Sequence, residues 1–166
     1  MSSAAEARHR GPIPRRADRT DTEAREACVS ALTALADSAA HQDRADAGRA
    51  LASFAELPAA ARVLADLLAD PQDTYVTLET ARALLRRGDR AAVAILVEAL
   101  ADLDVQHEQY VDDAVREVLG VFEEDRTRVS LLAEESAAGP DARSAKGAAV
   151  LRGMLGAVEP VFGPAR

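Results

Sequence analysis

The sequence has few of the residues that stabilise small disulfide-rich or β-sheet proteins. Its 166 residues include one cysteine, no tryptophan and only five aromatic side chains. The single cysteine, Cys28, excludes an intramolecular disulfide, so we expect a reducing compartment. Because aromatic and β-branched residues are scarce while alanine and leucine abound, the composition predicts an all-helical fold.

Long apolar runs are also missing. No stretch approaches the roughly 18 apolar residues that a membrane-spanning helix requires, and the N-terminus lacks the apolar core of a secretory signal peptide. We therefore expect a cytoplasmic protein that does not contact membranes. The basic residues include a single lysine, Lys146, and this arginine bias, together with the abundant alanine, is typical of bacteria with GC-rich genomes.

The charges divide unevenly along the chain, whose net charge is −8. Five arginines outnumber Glu6 and Asp18 within residues 1–20, which gives this segment a charge of +3 and leaves −11 for the rest. Because the segment shows no helical periodicity and contains glycine and proline, we predict a disordered basic tail. The acidic remainder disfavours a nucleic-acid-binding surface, which needs clustered basic residues. The acidic charge of residues 21–166 would favour binding to a basic protein partner, or it would serve only to keep the protein soluble.

A helical pattern recurs after this tail at intervals of about 34 residues. Three apolar triplets with i, i+3, i+4 spacing mark it: Ala47, Ala50, Leu51; Ala81, Leu84, Leu85; and Val115, Val118, Leu119. Two further stretches, DRAAVAILVE at 89–98 and DRTRVSLLAE at 125–134, align with each other without a gap, and Ile95 aligns with Leu131. The triplets predict three first helices. The matching stretches predict two second helices, and Leu64 with Leu68, which match Leu96 and Leu100 at an offset of 32, predict the other. The sequence therefore indicates three helical hairpins.

We predict a single domain over residues 21–158. The hairpins cover about 43–70, 71–102 and 103–138, the capping helices cover about 22–38 and 141–157, and residues 159–166 form a C-terminal tail. The turns support this division, because Pro58 suits the first turn of a helix and Gly88 with Asp89 suits a helix end followed by an N-cap. A single hairpin would leave one apolar face exposed to solvent, and stacking the hairpins would bury these faces against one another.

The stretch DPQDTYVTLETARALLRRGDRAAVAILVEALAD, residues 70–102, resembles a short bacterial HEAT-like repeat of the bilin-lyase-like type. It has an Asp-Pro opening, a first helix with small and leucine core positions, a Gly-Asp turn and a second helix that ends in Ala-Leu-x-Asp. The third repeat departs from this pattern, with GVFEEDR in place of the compact turn. The resemblance implies a right-handed α-α superhelix of about eight helices and a role in binding protein. The tetratricopeptide and ankyrin signatures are absent.

Motifs for catalysis or metal binding are missing. His9, His41 and His107 form no i, i+4 pair, and the chain has no HExxH, GxSxG, Walker A or GxGxxG pattern. Cys28 shares an apolar helical face with Leu35, so we expect a buried structural thiol. We therefore expect no enzyme activity, no metal and no cofactor. The enzymes that the resemblance offers as alternatives, a bilin lyase or a DNA glycosylase, would need a pigment-sized pocket or an electropositive channel.

Carboxylates recur on the second helices and at the ends of the hairpins. In a HEAT-like stack the second helices line the concave face, so the resemblance implies a ladder of carboxylates that could bind a basic surface. The alternative is that these acids only keep the helices soluble. The candidate partner-binding residues are Asp66, Asp70, Glu98, Asp102, Glu134 and Glu135.

Together these features predict a non-catalytic module that binds a partner protein, for which a basic surface is one option, and neither nucleic acid nor membrane. We expect a monomer or a weak homo-oligomer. An immunity protein that neutralises a basic toxin domain is an alternative within the same class.

Overall fold

The structure is a computed structural model that describes residues 16–163, and it confirms the all-helical prediction. Within that range the chain forms eight α-helices and no β-strand. None of these helices is both long and apolar enough to cross a membrane. They are α1 (Arg16–Ala36), α2 (His41–Leu51), α3 (Pro58–Leu68), α4 (Thr74–Arg87), α5 (Arg90–Leu100), α6 (Val105–Leu119), α7 (Glu123–Ala137) and α8 (Ala142–Gly156), with a 3₁₀ turn, Ala52–Phe54, after α2.

Five of the helices begin where the sequence provides a local start signal. Asp73, Asp89, Asp104 and Asp141 precede α4, α5, α6 and α8, and each side chain accepts a hydrogen bond from a backbone amide of the following turn. Pro58 opens α3 at a position where its missing N–H costs no hydrogen bond. These local signals account for where α3, α4, α5, α6 and α8 begin.

The apolar triplets form the centre of the core. The first helices pack in chain order, with α4 between α2 and α6, while α5 contacts both α3 and α7. Seven of the nine triplet residues are buried, and the other two, Ala50 and Val118, are half-buried. The 34-residue period of the sequence therefore corresponds to one apolar face on each of α2, α4 and α6.

The last helix, α8, packs chiefly against α5 and α7. A glycine allows the close approach, because a Cβ at Gly147 would lie 1.8 Å from the carbonyl oxygen of Val97 and 3.1 Å from the amide nitrogen of Ala101. Lys146 donates a hydrogen bond to the Ala101 carbonyl oxygen at the same contact. The N-terminal half of α8 is thus anchored on the C-terminal end of α5.

Both ends of the chain differ from the predicted tails. Helix α1 already begins at Arg16, six residues before the predicted start, and residues 1–15 of the predicted basic tail lie outside the described residues. At the other end, the Phe162 amide donates to the Val121 carbonyl oxygen at 2.9 Å, and the Glu123 amide donates to the Phe162 carbonyl oxygen at 3.0 Å. The rings of Phe122 and Phe162 stack with their centroids 5.5 Å apart. The segment after α8 therefore docks on the turn between α6 and α7, while residues 164–166 lie outside the described part.

The prediction that Cys28 is buried is wrong, since its side chain is exposed on α1. Among residues 20–36 of this helix, Val29 and Ala36 are buried, with Leu32 half-buried between them. Their i, i+3, i+7 spacing places them on one face of the helix. The two buried positions, Val29 and Ala36, each come one residue after a predicted core position, Cys28 and Leu35. One residue turns an α-helix by about 100°, which is enough to move the thiol from the core to the surface.

Candidate protein-binding surface

Ion pairs tie α2, α4 and α6 together. Glu79 on α4 lies between Arg49 of α2 and Arg82, whose guanidinium nitrogens are 2.7 and 2.5 Å from its carboxylate oxygens. Arg82 also pairs with Glu117 of α6, and Arg49 also pairs with Asp46. Burial alone would raise the pKa of Glu79, but the two arginines hold it below its ordinary value. The acids at these contacts between helices are therefore engaged within the chain.

A second ion-pair network joins α1 to the turns that follow α2 and α4. Arg87 Nη2 lies 2.6 Å from a carboxylate oxygen of Glu56, which also pairs with Arg25 of α1. The same Arg87 donates through Nε to Asp89 and through Nη1 to the Ala52 carbonyl oxygen, both at 2.7 Å. These carboxylates too have their partners inside the chain.

The acids at the repeated position of the second helices have a different environment. Asp66 on α3, Glu98 on α5 and Glu134 on α7 are all exposed. None of the three forms a salt bridge with any residue in the part of the chain that the structure describes. Their charges are open to solvent, and we call this set the open carboxylates.

A shallow groove of about 580 Å³ adjoins one of the open carboxylates. It lies between α3 and α5, where Ala61, Ala94 and Ile95 contribute apolar surface and Glu98 stands at the edge. Small side chains on both helices leave this space, because alanine does not fill the gap between two helix backbones. The groove offers a partner apolar contact area beside a free negative charge.

Two other predicted site residues are exposed but already paired. Asp102 lies 2.6 Å from Arg143 of α8, and Glu135 lies 2.5 Å from Arg90 of α5. Exposed pairs of this kind contribute little to stability, about 0.2–1 kcal/mol each. A partner would have to compete with these arginines for the two carboxylates, so both are weaker candidates than the open carboxylates.

Asp70, in contrast, is buried, with 5% of its surface exposed, so its carboxylate is not available to a partner. Arg44 donates to it through Nε at 2.6 Å and through Nη2 at 3.1 Å. The backbone amides of Gln72 and Asp73 also donate to it, each at 2.9 Å. Burial alone would raise the pKa of Asp70, but the hydrogen bonds from Arg44 and from the two amides outweigh it and lower that pKa. The residue holds the loop between α3 and α4 in place.

The apolar part of the surface was not among the predicted site residues. Leu131 is 56% exposed on α7 and lines a second groove, of about 520 Å³, together with Leu132 and Glu135. A signal was present in the sequence, because Leu131 aligns with Ile95 of the preceding second helix. The two residues nevertheless differ in the structure, since Ile95 is only 5% exposed.

No group of three or more histidine, cysteine, aspartate or glutamate residues within the described range is arranged to hold a metal ion. Comparison of the chain with protein-family models, with curated proteins and with solved structures finds no significant match.

Proposed function

We propose that this protein is a non-catalytic interaction module that binds a partner with a basic surface through the open carboxylates, Asp66, Glu98 and Glu134. One contrast supports the proposal. The acids at the contacts between α2, α4 and α6 are paired with arginines, whereas the open carboxylates on α3, α5 and α7 form no salt bridge with any described residue. A basic partner would supply the missing counter-charges.

We further propose that the helices form a small HEAT-like superhelix. Two features support this arrangement: the 34-residue period, and the packing of every second helix on its equivalent, α2 on α4 on α6 and α3 on α5 on α7. In such a stack the open carboxylates would follow one another along one face. The α8 helix, which packs against α5 and α7, would close the end of the stack.

The test uses a defined basic probe, a fluorescently labelled oligoarginine peptide, and measures its binding by anisotropy at several salt concentrations. The triple variant Asp66→Asn, Glu98→Gln, Glu134→Gln should bind about tenfold more weakly than the parent protein. This factor follows from about 0.5 kcal/mol for each exposed charge pair and about 1.4 kcal/mol per factor of ten. Circular dichroism should show the same helicity in both proteins.

A matched control separates the surface from the net charge. Asp37, Asp113 and Glu159 are also exposed acids, and replacing them by Asn, Asn and Gln changes the net charge by the same amount as the first triple variant. The control variant should bind the probe as the parent protein does. Equal weakening in both triple variants, or no binding by the parent protein, would show that the open carboxylates are not a specific site.

A further inference from the structure

His107, in the first turn of α6, connects two junctions between hairpins. Its Nδ1 lies 2.8 Å from Oδ1 of Asp104, the N-cap residue of α6, and its Nε2 lies 2.9 Å from the carbonyl oxygen of Asp70. The side chain is 13% exposed. Asp70 in turn is held by Arg44, which donates through Nη1 to the Ser38 carbonyl oxygen at 3.0 Å. One imidazole ring therefore joins the start of α6 to the loop after α3, and through Arg44 to the loop after α1.

Both partners of the ring are hydrogen-bond acceptors. A carboxylate and a backbone carbonyl have no proton to donate, so each ring nitrogen must carry one. Only the imidazolium form has protons on both nitrogens. Neutral His107 would keep one of the two contacts and would turn the other into a repulsion between lone pairs.

We propose that His107 is a pH-sensitive clamp. When it is protonated, it holds the start of α6 against the loop between α3 and α4. When it is neutral, it loses one of its two hydrogen bonds, either to Asp104 or to the Asp70 carbonyl oxygen. The inference does not depend on the open carboxylates or on a partner. It concerns how firmly the third hairpin is attached to the first two.

The charges around the ring favour the protonated form. Asp104 faces it from α6 itself, Asp70 faces it from the loop after α3, and Asp73 lines the same polar groove. Arg44, the cation that pairs with Asp70, is engaged with the Asp70 carboxylate. Burial alone would lower the pKa of His107, but the hydrogen bonds to the Asp70 carbonyl oxygen and to Asp104 outweigh it and raise that pKa.

The direction of the pH effect follows from linkage. A histidine whose pKa is raised by folding contributes stability that is complete below its unfolded value, about 6.5, and is lost as the pH rises through the folded value. Asp104, whose pKa is lowered chiefly by the hydrogen bonds from the amide and the ring of His107, stays ionised over this range. The clamp should therefore be closed at pH 6 and loosened in alkaline solution.

The experiment is an NMR titration of the full chain, with long-range ¹H–¹⁵N spectra that report protonation at each ring nitrogen of His107. We expect both nitrogens still to be protonated at pH 6.5 and one of them to lose its proton at higher pH. In Asp104→Asn the pKa of His107 should fall toward its ordinary value. Hydrogen exchange, corrected for intrinsic rates, should show the first turn of α6 opening more readily at pH 8.5 than at pH 6. Each unit by which the pKa is raised corresponds to about a tenfold change in that opening.

Two controls keep the test independent of a general loss of stability. His107→Gln can still donate one hydrogen bond but does not titrate, so its exchange in α6 should not depend on pH. Asp141→Asn removes the negative charge of the equivalent cap of α8 but keeps an oxygen that can accept the capping hydrogen bonds. Because those bonds come from the backbone amides of Arg143 and Ser144, any change of exchange in α8 should be equal at both pH values. The clamp is refuted if either ring nitrogen of His107 loses its proton at or below pH 6.5, or if the pH dependence of exchange persists in His107→Gln.

Discussion

The contact between α8 and α5 leads to a sharp prediction about one glycine. Replacing Gly147 by alanine adds a methyl group whose carbon would lie 1.8 Å from the Val97 carbonyl oxygen and 2.8 Å from its carbonyl carbon. Real contacts of this kind lie at about 3.3–3.6 Å. Because the neighbours are backbone atoms at the C-terminal end of α5, no side-chain rotation relieves the overlap, and α8 has to move away by about 1.5 Å.

The cost of that movement can be bounded from general values. Overfilling a packed core typically costs about 1–3 kcal/mol, and a backbone obstacle places this site at the upper end of that range. The displaced helix contributes Ala148, Leu151 and Leu155 to the core, each at most 2% exposed, so their packing is disturbed as well. Alanine offsets about 1 kcal/mol of the cost, because it is a better helix former than glycine. We expect a net destabilisation of about 2 kcal/mol.

Gly153, six residues further along the same helix, provides the matched control. A Cβ there would meet nothing within 4 Å, so Gly153→Ala should gain helix propensity alone and stabilise the protein by about 1 kcal/mol. Urea unfolding at 25 °C, followed by circular dichroism, measures both variants. With a slope of about 2 kcal/mol per molar urea, the midpoints should move in opposite directions and differ by about 1.5 M. The reasoning is refuted if Gly147→Ala is as stable as the parent protein or more so.

The same unfolding assay tests two other predictions. Arg44→Met leaves the buried carboxylate of Asp70 without its cation and should lower the free energy of unfolding by about 3 kcal/mol or more. Arg116→Met removes an exposed i, i+4 pair on α6 and should lower it by less than about 0.5 kcal/mol. Similar losses of stability in the two variants would contradict the role given to the buried pair. Gly88 has φ of +56° at the end of α4, so Gly88→Ala should lower the free energy of unfolding by about 1–2 kcal/mol, and Gly88→Asn should lower it by less. An unchanged midpoint in Gly88→Ala would show that the helix ends in another way.

The fold class and most helix positions were predictable because their signals are local. An aspartate at an N-cap or a proline in a first turn acts on neighbouring backbone, so Asp89 and Pro58 mark helix starts without knowledge of the rest of the chain. The i, i+3, i+4 triplets are equally local, since helical geometry alone places their side chains on one face. Where the pattern was weaker, as on α1, a shift of one residue was enough to place Cys28 wrongly.

Long-range contacts could not be inferred from such signals. The attachment of α8 to α5 depends on a glycine meeting a carbonyl group about fifty residues away, and Gly147 in the sequence looks like any glycine of modest helix propensity. The burial of Asp70 depends on Arg44, and neither residue differs in type from the exposed acids and arginines around it. A charge pattern shows that carboxylates recur, but only the fold decides whether an arginine meets each one.

The difference between carboxylates that pair with an arginine and carboxylates that do not also separates residues that stabilise the fold from residues proposed to bind a partner. The open carboxylates form no salt bridge or side-chain hydrogen bond with the described residues, so neutralising them should leave the free energy of unfolding within about 0.5 kcal/mol of the parent value. Gly147 and Arg44 stand at the other extreme, since they pack the helices together and present no free charge. If the open carboxylates serve binding, their variants must lose affinity at unchanged stability. If they serve only solubility, neither quantity should depend on where on the surface the acids are removed.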